Sequence, residues 1–260
     1  MKRGAVISRF FFALTFFTRI PAGPLAGDPE SFDLRDAVPF FPLVGLVIGA
    51  CLIVVDLVSR HLWPPAVTAV LDTVFLLMLT GGLHMDGLAD TADGLFSCQP
   101  KDRVLDIMKD SRIGAMGAMA MMAALMLKTA GFFSIALAPL SSLERTAVFL
   151  LIPSLSRTGM MIGIHILPYG RESGTGASLF SRPVGMKDTL CVIPLGVLAS
   201  VSGWPGVRMV AAFLFGILIL FFWYRKRLGC ITGDMLGCQV EVVEVLLALA
   251  AGAHFQWSLY

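Results

Sequence analysis

Charge is scarce in this sequence: 15% of its 260 residues are Asp, Glu, Lys or Arg, against about 25% in a soluble globular domain. Hydrophobic residues make up 57%, above the usual share of about 45–50%. So little charge excludes a water-facing surface over most of the chain, and the surplus apolar side chains need an apolar solvent. The five cysteines, Cys51, Cys98, Cys191, Cys230 and Cys238, are odd in number and lack CxxC spacing. They read as small packing residues. No small-residue cleavage site follows the apolar stretch 10–17; Arg19 and Pro21 stand there instead, which excludes a cleaved signal peptide. No polar stretch is long enough for a separate soluble domain, so 1–260 reads as a single integral membrane domain.

What is present is a series of runs that are apolar on every face. A helix needs about 20 such residues to cross a bilayer, whereas a soluble core helix keeps a polar face. Seven runs qualify: 37–59, 64–83, 113–137, 145–167, 188–204, 207–224 and 235–254. Residues 6–20, rich in Phe and flanked by Arg9 and Arg19, suit an interfacial or partly inserted amphipathic helix. The expected fold is all-α, a polytopic membrane bundle of about seven transmembrane helices with an N-terminal amphipathic helix.

Basic residues are unevenly shared between the loops. The segments 1–36, 84–112 and 168–187, with Arg225, Lys226 and Arg227, hold fifteen of the 20 Lys and Arg, and the opposite side holds Arg60 and Arg208. Positively charged loops stay cytoplasmic. The N-terminal segment, the acidic segment 84–112 and the loop 168–187 are therefore expected on one cytoplasmic face, where they can build one site.

The chemistry lies in those segments. In GGLHMDGLADTADGLF, Asp86, Asp90 and Asp93 follow i, i+4, i+7 spacing and share one helical face. Three carboxylates so placed repel unless neutralised, and an all-oxygen set suits magnesium, manganese or calcium. Such a cation can clamp a pyrophosphate and carry the charge of a leaving phosphate. A solvated acidic face is the alternative. It fits poorly beside Gly, Leu, Ala and Phe at the edge of an apolar run. His84 is a candidate general base or a structural histidine.

In DIMKDSRIGAMGAMA, Asp106 and Asp110 join Lys109 and Arg112, which suit either phosphate binding or anchoring of a span. Gly114 and Gly117 there allow close helix packing. The loop PYGRESGTGASLF, with Arg171 and Glu172, could surround a phosphate with backbone amides or be an ordinary flexible loop. In GCITGDMLGCQVEVVEV, Asp234, Glu241 and Glu244 sit in or beside an apolar helix, where an acid usually faces a site or a polar partner. Arg157, in SLSRTGM, is a candidate partner for these acids or for substrate phosphate.

Taken together, the segments resemble the cobalamin synthase family, the adenosylcobinamide-GDP ribazoletransferases. FFALTFFTRIP, FPLVGLVIGA, GGLHMDGLADTADGL, MKDSRIGAMGA, SRTGM, YGRESGTG and TGDMLGCQVEVVEV occur in the family's order through the whole chain. The motif at 81–95 is the most diagnostic of them. Gly170 departs from the alanine expected before Arg171 and Glu172. The resemblance implies a bacterial inner-membrane enzyme with a cytoplasmic active site and a magnesium cofactor. It would join adenosylcobinamide-GDP to α-ribazole or α-ribazole 5′-phosphate and release GMP. On this reading His84, Asp86, Asp90 and Asp93 are catalytic, and the three aspartates hold the metal. Lys109, Asp110, Arg112, Arg157, Arg171, Glu172 and Asp234 contact substrate. Membrane lipid is an expected partner, nucleic acid is not, and homo-oligomerisation stays open. A CDP-alcohol phosphotransferase, a prenyl transferase and an ion-coupled transporter are the alternatives. The first lacks its usual DG and AR pattern here, and the last would be favoured by an inverted repeat that the sequence does not display.

Overall fold

A computed structural model describes residues 3–27, 33–171, 177–181, 185 and 190–253 of the chain. Eleven α-helices appear among them: α1 Arg3–Phe17, α2 Gly23–Ala26, α3 Phe41–Leu62, α4 Pro65–Leu79, α5 Leu83–Phe96, α6 Lys101–Ile107, α7 Ala115–Leu137, α8 Ser142–Ile166, α9 Ile193–Val201, α10 Gly203–Arg227 and α11 Gly233–Gly252. Leu34–Phe40 and Ala177–Phe180 form short 3₁₀ turns. The chain is an all-helical membrane protein: five of its helices are long and apolar enough to cross a bilayer, namely α3 with the turn before it, α7, α8, α10 and α11.

Two of the seven apolar runs differ from their expected form. The run 64–83 gives only the 15 residues of α4, because Gly81 and Gly82 take φ of 63° and 74°. That left-handed backbone suits glycine and ends the helix. α5 then departs at 88° to α4. The run 188–204 gives the nine residues of α9 among those described, between Pro194 in its first turn and Gly203 at φ 62°. The chain still changes ends there: Leu179 borders the site described below, whereas a Cβ on Gly203 would lie 3.1 Å from Glu144 at the start of α8, the opposite end.

Small residues bring the long helices together. A Cβ on Gly45 of α3 would lie 2.7 Å from the carbonyl carbon of Pro153 in α8, and one on Gly49 would lie 2.7 Å from the Phe149 oxygen. This is a GxxxG contact, which lets two backbones approach where lipid supplies no hydrophobic drive for association. Gly131 and Gly252 do the same between α7 and α11. α8 begins with a capping box between Ser141 and Glu144, and Arg145 in its first turn reaches Asp56 of α3 through hydrogen bonds of 2.5 and 2.9 Å. α1 is more than a surface float. It buries Ala13, Leu14 and Phe17 against the bundle, and Arg9 pairs with Asp36 at 2.8 Å. The five cysteines are free, with Cys230 and Cys238 buried in the packing.

Candidate active site

α5 lies across one end of the bundle, over the first turns of α7 and α11. Glycine makes that crossing possible at Gly87, where a Cβ would meet the Asp234 carbonyl oxygen at 2.7 Å, and at Gly237, where it would lie 3.3 Å from His84 Cα. At its other end Asp93 is seated on the start of α7, accepting hydrogen bonds from the backbone amides of Gly114 at 2.7 Å and Gly117 at 2.8 Å. Those amides would otherwise be orphans of the helix terminus. Gly114 and Gly117 are thus small because the Asp93 carboxylate fills the space a side chain would need.

Asp86 is exposed, and Asp90 and Asp93 are half-buried, on one face of α5. The first residues of α11 and the 168–171 loop come to the same place. Two hydrogen bonds of 2.9 Å, Gly170 to Ile231 and Ile231 to Pro168, tie that loop to the turn before α11. Arg171 then forms an ion pair with Asp234 and donates to the Met108 carbonyl at 3.3 Å. A Cβ at Gly170 would come 2.6 Å from Cys230 Sγ, so glycine here is matched to cysteine there. Burial, followed by repulsion from Asp86 and Asp234, pushes the Asp90 carboxyl up to about 7. That crowding of carboxylate is what a hard divalent cation relieves, and the donors are all oxygen. Among the described residues no three His, Cys, Asp or Glu side chains are grouped to hold a metal by themselves.

Beneath this face lies a cavity of about 210 Å³. Phe16 and Phe17 of α1, Met160 of α8 and Leu236 of α11 form its apolar side, and His84, Asp86, Arg171 and Asp234 its polar side. His84 is buried; its ring stacks on Phe17 at 5.7 Å, and its Nδ1 lies 3.4 Å from Arg157 Nη2. A guanidinium only donates, so Nδ1 is the acceptor and the neutral ring carries its proton on Nε2. Arg157 is itself sealed from solvent and pairs with Glu244. Lys128 closes the group with 2.6 Å to Glu241 and 2.7 Å to Glu244, so two cations meet two anions between α7, α8 and α11. Of the two partners the sequence left open for Arg157, the structure places it with the acid.

Lys109 and Arg112 stand apart from the cavity. Lys109 lies 3.9 Å from Asp106, and Arg112 pairs with Asp110 at 2.6 Å on the exposed turn before α7. Hydrogen bonds from Arg112 hold the Asp110 carboxyl down at about 2. Glu172 lies outside the described residues. Sequence reasoning missed Phe16, Phe17, Tyr169 and Lys128 as parts of the site or its support. Lys128, a lone cation in a run of 23 residues, carried a legible signal through the two acids of α11; the aromatics of α1 carried none beyond their number.

The cobalamin-5-phosphate synthase family model matches residues 9–252. The chain belongs to that family. An adenosylcobinamide-GDP ribazoletransferase of Desulfitobacterium hafniense (strain Y51) is 38% identical over 254 residues, which cover 94% of this chain and 96% of that protein. Proteins of the same name from Klebsiella pneumoniae (strain 342) and Brevibacillus brevis (strain 47) are 35% and 33% identical, each over 94% of this chain and 99% and 97% of their own lengths. No solved structure matches. In this cobalamin-5-phosphate synthase family member, α5, the 168–171 loop and the start of α11 converge on one cavity, bordered by Asp86, Arg171 and Asp234.

Proposed function

We propose that this chain is an adenosylcobinamide-GDP ribazoletransferase: it transfers the adenosylcobinamide phosphate group to α-ribazole, or to its 5′-phosphate, and releases GMP. Family membership and the names of its relatives support the reaction class. The observation that carries the reading to residues is the convergence of Asp86, Asp90, Asp93, Asp234 and Arg171, from three separate segments, at one end of the bundle.

The reaction forms a bond from a ribose hydroxyl oxygen to the phosphorus nearest the corrinoid and breaks the bond from that phosphorus to the GMP oxygen. Asp86 borders the cavity and takes the hydroxyl proton, since His84 presents a donor there. Arg171 borders the cavity, which supports a role for its guanidinium in holding a non-bridging oxygen. Asp93 keeps α5 in register with α7 and so sets the spacing of the acids. Magnesium held by Asp86, Asp90 and Asp93 would neutralise the pyrophosphate and the departing GMP. The distribution of basic residues supports a cytoplasmic site on a bacterial inner-membrane protein.

Purified protein in nanodiscs, given adenosylcobinamide-GDP, α-ribazole and magnesium, is expected to form adenosylcobalamin and GMP in equal amounts. Turnover with a CDP-alcohol or a prenyl diphosphate in their place, and none with the corrinoid, would end this reading.

A further inference from the structure

The cavity beneath α5 is too small for one of the two substrates. At about 210 Å³ it holds a fused bicyclic ring with part of a sugar, whereas a corrin macrocycle bearing adenosyl and GDP groups is several times larger than a typical small-molecule pocket of this kind admits. Its walls are divided in the same sense. Phe17, Met160 and Leu236 are buried and apolar, while Asp86, Arg171 and Asp234 stand on the polar side.

We propose that this cavity is the nucleoside subsite, taking a flat, mainly apolar heteroaromatic base against Phe17, Met160 and Leu236 with its ribose toward Asp86. The proposal rests on the ribazoletransferase reading, and it assigns the two substrates to different places: the nucleoside enters the bundle, and the GDP-activated corrinoid stays on the exposed carboxylate face of α5. A second observation points to a ring with an acceptor atom. His84 is 1% exposed, borders the cavity, and has no hydrogen-bond partner at Nε2 among the described residues. Because Arg157 occupies Nδ1, Nε2 is a donor, and an unmet buried donor is costly until something accepts from it. A benzimidazole nucleoside carries one free ring nitrogen that can do so. The base then contributes the acceptor that Nε2 lacks among the described residues, and a site built this way rejects an isostere without the acceptor more strongly than one without a methyl group.

The test uses the full chain in nanodiscs and measures binding, without magnesium and without corrinoid, of α-ribazole and of the matching indole riboside, in which the free nitrogen is replaced by CH. α-Ribazole is expected to bind at least about tenfold more tightly than the indole compound. Equal binding of the two overturns the proposal. In parallel, Met160→Trp fills the cavity and is expected to weaken α-ribazole binding by about tenfold or more while leaving adenosylcobinamide-GDP binding within about twofold. If Met160→Trp retains corrinoid binding and also binds α-ribazole as the wild type does, the nucleoside does not occupy this cavity. The analogue comparison needs only the wild-type protein, so a Met160→Trp chain that fails to fold leaves the proposal decided by it. Failure here with normal wild-type GMP release defeats the subsite alone; absent GMP release defeats the activity on which it rests.

Discussion

The Asp93 carboxylate accepts a hydrogen bond from the Gly117 backbone amide at 2.8 Å, 24 residues further along the chain. One of the three aspartates of the acidic motif thus serves the start of a neighbouring helix as well as the site face. Asp93→Ala is expected to cost about 1 kcal/mol in stability, the usual worth of a lost helix cap, and to lower turnover by more than that cost explains, because α5 loses its register. Gly117→Ala would bring a Cβ to 2.9 Å from the Ala89 carbonyl and is expected to lower turnover with Asp93 intact. Thermal unfolding in detergent, set beside GMP release, checks both. Full turnover in Gly117→Ala would mean that the Asp93 contact does not set the spacing of the acids.

The buried group around Glu244 gives a second expectation. Lys128 stands between Glu241 and Glu244, and Arg157 completes the balance. Lys128→Met leaves two buried acids facing one cation, and breaking such a pair from one side costs about 3–5 kcal/mol. Lys128→Met combined with Glu241→Gln removes one charge of each sign and is expected to recover much of the loss. Melting temperatures of the two variants check it. A double variant no more stable than the single one would show that charge balance is not what holds these helices.

Asp90 gives a pH dependence. Its carboxyl stands near 7 because burial and the neighbouring Asp86 and Asp234 favour the protonated form. A cation needs the ionised form, so at limiting magnesium the rate is expected to rise as pH passes upward through about 7, and at saturating magnesium the rise moves to lower pH. Rates measured from pH 5.5 to 8.5 at two magnesium concentrations check it. A rise that stays in place as magnesium increases would separate Asp90 from the metal.

Arg171 and Asp234 form the ion pair that joins the 168–171 loop to α11. Arg171→Lys keeps the charge but loses the planar fork, and Arg and Lys are not interchangeable at such a site. Its turnover is expected to fall about tenfold or more with little change in melting temperature. A fall in stability alone would make this arginine a strut.

The helices, the membrane and the acidic motif are legible in the sequence because each rests on local pattern: apolar runs of bilayer length, and carboxylates at i, i+4, i+7. What is not legible depends on pairs distant in the chain. The helix break at Gly81 and Gly82 lies inside an apolar run that reads as one span, and only the left-handed backbone of both residues reveals the 88° turn. Lys109 and Arg112 read from sequence as either phosphate ligands or span anchors, and the pairing of Arg112 with Asp110 two residues away is a contact that this spacing does not single out. The aromatic wall from α1 reaches the site through packing such as that of Phe17 on His84, which no spacing within α1 encodes.

On the proposed reading, carboxylates on one face of α5 support phosphoryl transfer through a divalent cation. Magnesium titration of GMP release tests it most directly, comparing wild type with Asp86→Asn and Asp90→Asn at saturating adenosylcobinamide-GDP and α-ribazole. Release that needs magnesium in the wild type, and needs at least about tenfold more of it in each variant, is the expected result. Magnesium-independent release, or identical titrations in all three proteins, would contradict the account.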